Sequence, residues 1–317
     1  MKKPKDFKIA IVGVGTMGIG MAQLFASNGH KVAAYDSFPA AIEKAPAQIK
    51  NNLETMKGMG QMDDKKMEET IANITYYTDI EKAVSDVDMV IEAVFEDVDI
   101  KKDIFKKLET YCRKDTILSS NTSTLNIFDI IDIENPERLV ITHFFVPAYA
   151  MPLVEIVKGL KTSDETAQCC RELMESCGKR VAVLNRPVLG FIMNRLTFSI
   201  FREAAYLVEQ GICSPQDVDN AVIAVHGNRY SFEGPFALCD FAGVDIYRDI
   251  SSYLMEDLCD SKEVPKALAK LCEEGKLGVK SHEGFYKYDD IAKCRAKRDG
   301  RILKNIQINK ELDEEFK

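Results

Sequence analysis

The sequence predicts an α/β protein in which a doubly wound, mainly parallel sheet precedes an all-helical second domain. Three observations support this prediction. Short apolar segments alternate with amphipathic ones in the first half, which is the pattern of βαβ units. A glycine-rich turn follows the first apolar segment, and after Arg186 the apolar residues change to helical spacing. The 317 residues suit two domains at roughly 100–200 residues each, and we place them at 1–187 and 188–317.

Six apolar segments of the first domain are predicted as strands, because each is short and bounded by turn-forming residues. They are Lys8–Val14, Lys31–Asp36, Asp88–Val94, Thr116–Asn121, Leu139–Phe145 and Pro152–Val157. The polar stretch from about Phe38 to Ile71 is predicted as a helical excursion beside the sheet.

The second domain is predicted to be helical. Apolar residues recur at helical spacing from Val188 to Gly211, and Pro187 suits a helix start. Further helices are predicted to about Lys276, and the charged tail after Tyr288 is predicted to be a surface segment.

Composition excludes several classes of function. The formal net charge is −8 and no basic stripe is present, so nucleic acid is not an expected partner. Nine scattered cysteines without CxxC spacing indicate reduced thiols in a cytoplasmic protein and no zinc site. The start MKKPKDFKIAIVGVG is not expected to be a signal peptide, because Asp6 and glycines interrupt it. The apolar stretch 138–157 contains His143, Glu155 and two prolines, so no membrane span is expected.

The motif G-V-G-T-M-G predicts a nucleotide site. Gly13, Gly15 and Gly18 lie between a strand and an amphipathic segment, where a tight turn, a close backbone approach to pyrophosphate and close helix–strand packing are all needed. Asp36 ends the next strand, where a carboxylate can accept hydrogen bonds from ribose and would repel a ribose phosphate. These features predict a Rossmann-type domain that binds NAD rather than NADP. The alternative is a glycine-rich turn of an unrelated α/β protein with an ordinary surface aspartate.

The ordered motifs GVGTMGIGMAQ, IEAVFED, SSNTSTL, HFFVPAYAMPLVEIV and GFIMNRL closely resemble the 3-hydroxyacyl-CoA dehydrogenases. The resemblance extends to about KLGVKSHEGFYKYD, nearly the whole chain. It implies an NAD-dependent enzyme of fatty acid metabolism that interconverts a 3-hydroxyacyl-CoA and the 3-ketoacyl-CoA. It also implies a homodimer formed through the helical domain.

Oxidation of an alcohol by NAD needs a base for the hydroxyl proton, and histidine suits this role near neutral pH. Of four histidines, His30 and His282 are predicted at the surface. His226 is predicted to be structural or to support a site residue rather than to be catalytic. His143 ends a strand at the carboxyl edge of the sheet, and Glu155 in the next segment could face it. The resembling family has a His–Glu pair at these positions. The alternative is a satisfied core histidine and an unrelated carboxylate.

The resemblance implies further site residues. Ser123 would bond the substrate oxygen, Asn121 would lie by the cofactor, and Asn194 would reach the site from the second domain. The alternatives are a capped helix start at Ser123 or Thr124 and a buried interhelical amide at Asn194. The remaining cofactor contacts implied by the resemblance are Thr16, Met17, Ala93, Val94, Glu96 and Lys101. For the last two, the alternative is a solvated ion pair.

The sequence also departs from the family pattern. Val146 replaces an asparagine of the family's HFFNP motif, and Met59 stands where the family has a CoA-contacting lysine, although Lys50 and Lys57 remain as candidates for CoA. Arg229 could hold a carboxylate, as in the gulonate and carnitine dehydrogenase branch that the segment resembles, or could be an ordinary surface arginine.

The leading prediction for the substrate is a short-chain 3-hydroxyacyl thioester such as 3-hydroxybutyryl-CoA, because the overall resemblance to the enzymes of that substrate is strong. The alternative substrate is a free 3-hydroxy acid, which Val146, Met59 and Arg229 favour. A catalytically silent NAD-binding protein is the hypothesis from another class.

Overall fold

The structure is a computed structural model that describes residues 3–316, and it divides into two compact units, one ending at Ile192 and one beginning at Met193. Residues 3–192 contain eight strands, β1 to β8: Ile9–Val12, Val32–Tyr35, Ile74–Tyr77, Met89–Glu92, Ile117–Ser120, Leu139–Phe144, Leu153–Lys158 and Arg180–Leu184. The same residues contain seven α-helices, α1 to α7: Thr16–Ser27, Pro39–Gly58, Asp64–Ala72, Ile80–Val84, Val98–Tyr111, Ile127–Ile130 and Asp164–Ser176.

The strands form one sheet in the order β3-β2-β1-β4-β5-β6-β7-β8, parallel except where β6 meets β7. Apolar clusters cover both faces: Ile9 and Ile11 of β1 belong to one cluster, and Ala10 and Val12 to the other. Central strands covered on both faces have continuous apolar sequences rather than alternating ones. The predicted doubly wound, mainly parallel fold is confirmed.

All six predicted strands are present, but two were missed. β3 and β8 end the sheet order on either side. β3, with the sequence ITYY, lacks the apolar run of the central strands. β8, with the sequence RVAVL, does contain a short apolar run, and this signal was overlooked. The predicted excursion is two helices, α2 and α3, separated by a short turn.

Residues 193–316 contain six helices, α8 to α13: Met193–Glu209, Pro215–Arg229, Pro235–Ala242, Val244–Asp257, Lys266–Glu273 and Ile291–Glu315. The predicted all-helical second unit is confirmed. The predicted helix start at Pro187 is wrong, because Gly190 and Phe191 have φ values of 78° and 50°, which interrupt helical geometry. The charged tail is a 25-residue helix, exposed along most of its length. In the described part of the chain, no helix combines the length and apolar character needed to cross a bilayer.

Candidate active site

The three glycines between β1 and α1 have different structural roles. Gly13 has φ 100°, and a Cβ there would lie 2.7 Å from the carbonyl oxygen of Ala93. A Cβ on Gly18 would lie 1.8 Å from the carbonyl oxygen of Gly13, so this glycine permits close helix packing. At Gly15 an added Cβ would meet nothing within 4 Å. Gly15 is also the N-cap of α1 and makes no side-chain cap, which leaves open space before the helix N-terminus. This cradle fits the pyrophosphate of a dinucleotide.

Asp36 lies beside this glycine turn, directly after β2. Its Oδ2 accepts a hydrogen bond from the Val14 backbone N–H and its Oδ1 accepts one from Phe38 N–H, both at 2.9 Å. Each carboxylate oxygen can accept a second hydrogen bond. The fixed carboxylate therefore fits the adenosine ribose hydroxyls of NAD.

The antiparallel pairing of β6 with β7 places His143 opposite Glu155. His143 Nδ1 lies 2.8 Å from Glu155 Oε2, and the residues are 5% and 0% exposed. The other carboxylate oxygen accepts a hydrogen bond from Ile192 N–H at 2.9 Å. Because an ionised carboxylate only accepts, Nδ1 donates to Glu155 and the ring's Nε2 is its acceptor. The rings of Phe145 and Phe191 pack around the imidazole, with centroids 4.6 and 5.4 Å away.

A buried ion pair that the sequence reasoning missed lies between β4 and α5. Glu92 is 0% exposed, and its two oxygens accept hydrogen bonds from the Lys101 ammonium at 2.7 and 2.9 Å. It also accepts from Val94 N–H at 2.8 Å and from Ser120 Oγ at 2.6 Å. Lys101 also forms an ion pair with Glu96 at 3.2 Å, in which the Glu96 side chain is 35% exposed and that of Lys101 is 1% exposed. The alternative of an ion pair is therefore present, but its ammonium is not solvated. The available signal was a carboxylate inside an apolar strand.

Glu96 orders the loop after β5. Its Oε1 accepts hydrogen bonds from Thr122 Oγ1, from Ser123 N–H at 3.1 Å and from Thr124 N–H at 3.2 Å. Burial acts to raise the pKa of the Glu96 carboxyl. The hydrogen bond from Thr122 and the charge of Lys101 outweigh burial and leave this pKa below its ordinary value.

The end of β5 is also tied to the strand that carries the histidine. Asn121 Oδ1 accepts a hydrogen bond from Phe144 N–H at 2.8 Å, which leaves the NH2 end of the amide as its donor. The alternative for this loop, a capped helix start at Ser123 or Thr124, is wrong, because α6 begins at Ile127. Asn121, Ser123 and His143 therefore follow or end neighbouring parallel strands, β5 and β6, at the carboxyl edge of the sheet.

The candidate CoA-binding lysines both have acidic neighbours. Lys50 Nζ lies 3.9 Å from Glu54, and Lys57 forms an ion pair with Asp64. Met59 immediately follows α2. The positive charge of each of these two lysines is therefore partly offset by its acidic neighbour.

The remaining candidates occupy varied positions. Val146 follows β6 and is 52% exposed. Asn194 lies in the first turn of α8, and Arg229 is the exposed last residue of α9. Thr16 and Met17 open α1, and Ala93 and Val94 follow β4. Across residues 3–316, no group of three or more His, Cys, Asp or Glu side chains is placed to hold a metal ion.

The other three histidines lie in different environments. The prediction that His30 lies at the surface is wrong: it is 3% exposed, and its Nδ1 lies 2.9 Å from the carbonyl oxygen of Phe7. Its ring belongs to the core because the chain turns directly into β2. His282 is exposed, as predicted. His226 stacks on Tyr230 within the second unit, with ring centroids 4.6 Å apart.

Comparison with known proteins agrees with this architecture. Residues 8–186 match the family model described as 3-hydroxyacyl-CoA dehydrogenase, NAD binding domain. Residues 190–288 match the one described as 3-hydroxyacyl-CoA dehydrogenase, C-terminal domain.

Three relatives illustrate the range of substrates. The 5-formyl-3-hydroxy-2-methylpyridine 4-carboxylate 5-dehydrogenase of Mesorhizobium japonicum is 37% identical over 96% of this chain and 98% of its own. A crystal structure of an enzyme of this name, described as an NAD⁺-dependent dismutase, has a TM-score of 0.87 with 34% identity and covers 96% of this chain and 98% of its own. The 3-hydroxybutyryl-CoA dehydrogenase of Clostridioides difficile is 36% identical over 89% of this chain and 99% of its own. The L-carnitine dehydrogenase of Oceanobacillus iheyensis is 34% identical over 74% of this chain and 76% of its own.

Proposed function

The chain belongs to the 3-hydroxyacyl-CoA dehydrogenase family and is an NAD-dependent oxidoreductase, and from this premise we propose that it interconverts a hydroxyl and a carbonyl group on a small substrate that carries a free carboxylate. The observation that carries the reaction class is the 2.8 Å contact between His143 and Glu155 at the edge of the dinucleotide-binding sheet. The substrate class rests on the separate observations given below.

In the proposed reaction His143 Nε2 takes the hydroxyl proton. NAD, when bound, would supply the acceptor for the hydride that leaves the carbon carrying that hydroxyl. Glu155 holds the ring through Nδ1 and stabilises the imidazolium that forms. Ser123 and Asn194 are the proposed polar contacts of the substrate oxygen. In the reverse direction the imidazolium returns the proton to the carbonyl oxygen.

The proposed cofactor site combines backbone and side-chain contacts. The turn of Gly13, Gly15 and Gly18 with the first residues of α1 would hold the pyrophosphate, and Asp36 the ribose. Other proposed contacts are Thr16, Met17, Ala93, Val94, Glu96 and Asn121. Lys101 is only 1% exposed, so its proposed role is to hold Glu96 through their ion pair rather than to touch the cofactor.

Two observations support a free carboxylate. The relative and the solved structure that cover 96% of this chain bear the name of an enzyme of a pyridine carboxylate. The acidic partners of Lys50 and Lys57 weaken the attraction for CoA phosphates. Arg229 is the proposed carboxylate ligand, since guanidinium groups bind carboxylates bidentately.

The second candidate is a short-chain 3-hydroxyacyl-CoA, and with it a role in fatty acid metabolism. It is favoured by the 36% identity to a 3-hydroxybutyryl-CoA dehydrogenase and by the presence of Lys50 and Lys57, the candidate CoA-binding lysines, on α2.

A homodimer in the cytoplasm is also proposed. The second unit exposes large aromatic side chains, including Phe232, Phe236 and Phe241 at 75%, 88% and 85%. Exposed apolar surface of this kind is typical of an interface.

The test is a turnover panel followed through NADH absorbance. Acetoacetyl-CoA, acetoacetate and 5-formyl-3-hydroxy-2-methylpyridine 4-carboxylate are offered with NADH, and the last also with NAD, with His143→Ala as the blank. Turnover of a free acid at a kcat/KM at least tenfold above that of acetoacetyl-CoA is the expected result. Turnover of the thioester alone would overturn the substrate class, and no turnover with retained NADH binding would favour a silent binding protein.

A further inference from the structure

Helix α13 lies beyond the last residue matched by the family models, which end at residue 288. Its charges are separated along its length. Residues 291–304 contain one acidic residue, Asp299, and six basic ones: Lys293, Arg295, Lys297, Arg298, Arg301 and Lys304. Residues 305–315 contain one lysine and four acidic residues: Glu311, Asp313, Glu314 and Glu315.

This charge distribution opposes the dipole of the helix. The N-terminal end of a helix favours negative side chains and the C-terminal end favours positive ones. α13 has the reverse arrangement, so the helix by itself gains nothing from it. A second helix running antiparallel would place acidic residues beside basic ones at both ends.

One face of α13 is exposed along four turns. Ile308 and Leu312 are 41% and 43% exposed in an otherwise polar sequence. Arg301, Ile308 and Glu315 are spaced seven residues apart and therefore share a face. Lys304 and Glu311 flank Ile308 on the same side of this face, and both are exposed. Leu303, at 3% exposure, points in a different direction, toward the protein.

We propose that α13 pairs antiparallel with α13 of a second copy of this chain, with a two-fold axis at Ile308. Residue 308 is the mean of 301 and 315, so Glu315 lies opposite Arg301 of the partner subunit, and the reverse contact occurs by symmetry. Glu311 then lies beside Lys304 of the partner subunit, on the same side of the pair. Ile308 meets its own symmetry mate. The face is apolar at its centre and complementary in charge at both ends.

The first test is a disulfide at the axis. In a Cys272→Ser/Cys294→Ser background, which removes the two exposed thiols, Ile308→Cys is oxidised with copper phenanthroline and the product is measured on a non-reducing gel. A covalent dimer is expected at micromolar protein. Lys310→Cys, two residues away and pointing to another side of the helix, is the matched control and should remain monomeric on the gel. Absence of the Ile308→Cys dimer, or equal yields from the two variants, would overturn the pairing.

The second test exchanges charges. Arg301→Glu and Glu315→Arg, each alone, should weaken self-association about tenfold in low salt, as measured by sedimentation equilibrium. The reason is that each single substitution creates two contacts between like charges in the symmetric pair, one at each end. The double variant should recover association to within about threefold of the parent. Equal association in all four proteins, or a double variant as weak as the singles, would contradict the proposal. Retained NADH binding and circular dichroism show that each variant is folded.

Discussion

The Lys101 ammonium lies 2.7 and 2.9 Å from the two carboxylate oxygens of Glu92, and water reaches neither side chain to a significant extent. The pair joins α5 to β4. Through Ser120 Oγ it also joins β5, the strand that leads to the Ser123 loop. A buried pair of this kind contributes little net stability, but removal of one partner leaves a buried charge uncompensated.

Lys101→Met should therefore lower the free energy of unfolding by about 3–5 kcal/mol, measured by urea denaturation. The double variant Glu92→Gln/Lys101→Met removes both charges and should recover part of the loss. Lys107→Met breaks the exposed pair with Asp103 and should have a far smaller effect. If the Lys101→Met protein were as stable as the Lys107→Met protein, the buried Glu92 carboxylate would not depend on Lys101 for charge compensation.

Gly15→Ala and Gly18→Ala each add one methyl group to the parent protein. The first should impair NADH binding and the second should impair stability. At Gly15 the added Cβ meets open space and φ is −68°, so the fold should tolerate alanine. The methyl group would occupy the space proposed for pyrophosphate, so the Kd for NADH should rise at least tenfold. At Gly18 the Cβ would lie 1.8 Å from a carbonyl oxygen, so the melting temperature itself should fall. NADH fluorescence and thermal unfolding separate the two effects, and normal NADH affinity in Gly15→Ala would contradict the cradle.

Asp36→Asn tests the choice between NADH and NADPH. The amide removes the charge but keeps one oxygen to accept from the Val14 backbone N–H, so the fold should persist. KM for NADH should rise about tenfold, and the ratio of kcat/KM for NADPH to that for NADH should increase, because the repulsion of a ribose phosphate is lost. Asp86→Asn, at an exposed site, is the matched control. An unchanged cofactor ratio would mean that Asp36 only supports the turn.

The expectation that His143 and Glu155 could face each other agrees with the structure. Two apolar strands joined by a short loop can pair in only a few registers, so the sequence alone could indicate this contact. Glu92 was missed because a carboxylate inside a strand identifies no partner: its ammonium lies nine residues further along, on α5. The helix start at Pro187 was wrong because apolar periodicity continues through Gly190 and Phe191, whose positive φ values are not visible in the pattern. His30 was misplaced because a residue after a glycine turn can lead directly into a core strand.

The cysteines predict a labelling pattern. Burial raises the pKa of the Cys112 thiol to about 12 and the pKa values of the Cys169 and Cys177 thiols to about 11, and it also raises the pKa of Cys170. These four thiols stay protonated from pH 7 to pH 9 and should not react with a disulfide reagent until the protein unfolds. The exposed Cys272 and Cys294 should react at once. Nine equivalents after unfolding without reductant would agree with reduced thiols, and rapid native labelling of Cys170 would contradict the core.

His143→Ala tests the proposed base. Loss of a general base costs about 10²–10⁴ in kcat, while the Kd for NADH should remain near that of the parent, since the proposed pyrophosphate and ribose contacts lie on the glycine turn and Asp36. Glu155→Gln keeps a side chain of the same shape, but its single oxygen cannot accept from both His143 and the Ile192 N–H. The imidazolium formed during oxidation would then lose its counter-charge, so kcat should fall while KM changes little. Steady-state kinetics with NADH fluorescence measure both quantities. Near-normal kcat in His143→Ala would refute the base, and near-normal kcat in Glu155→Gln alone would reduce Glu155 to a structural contact.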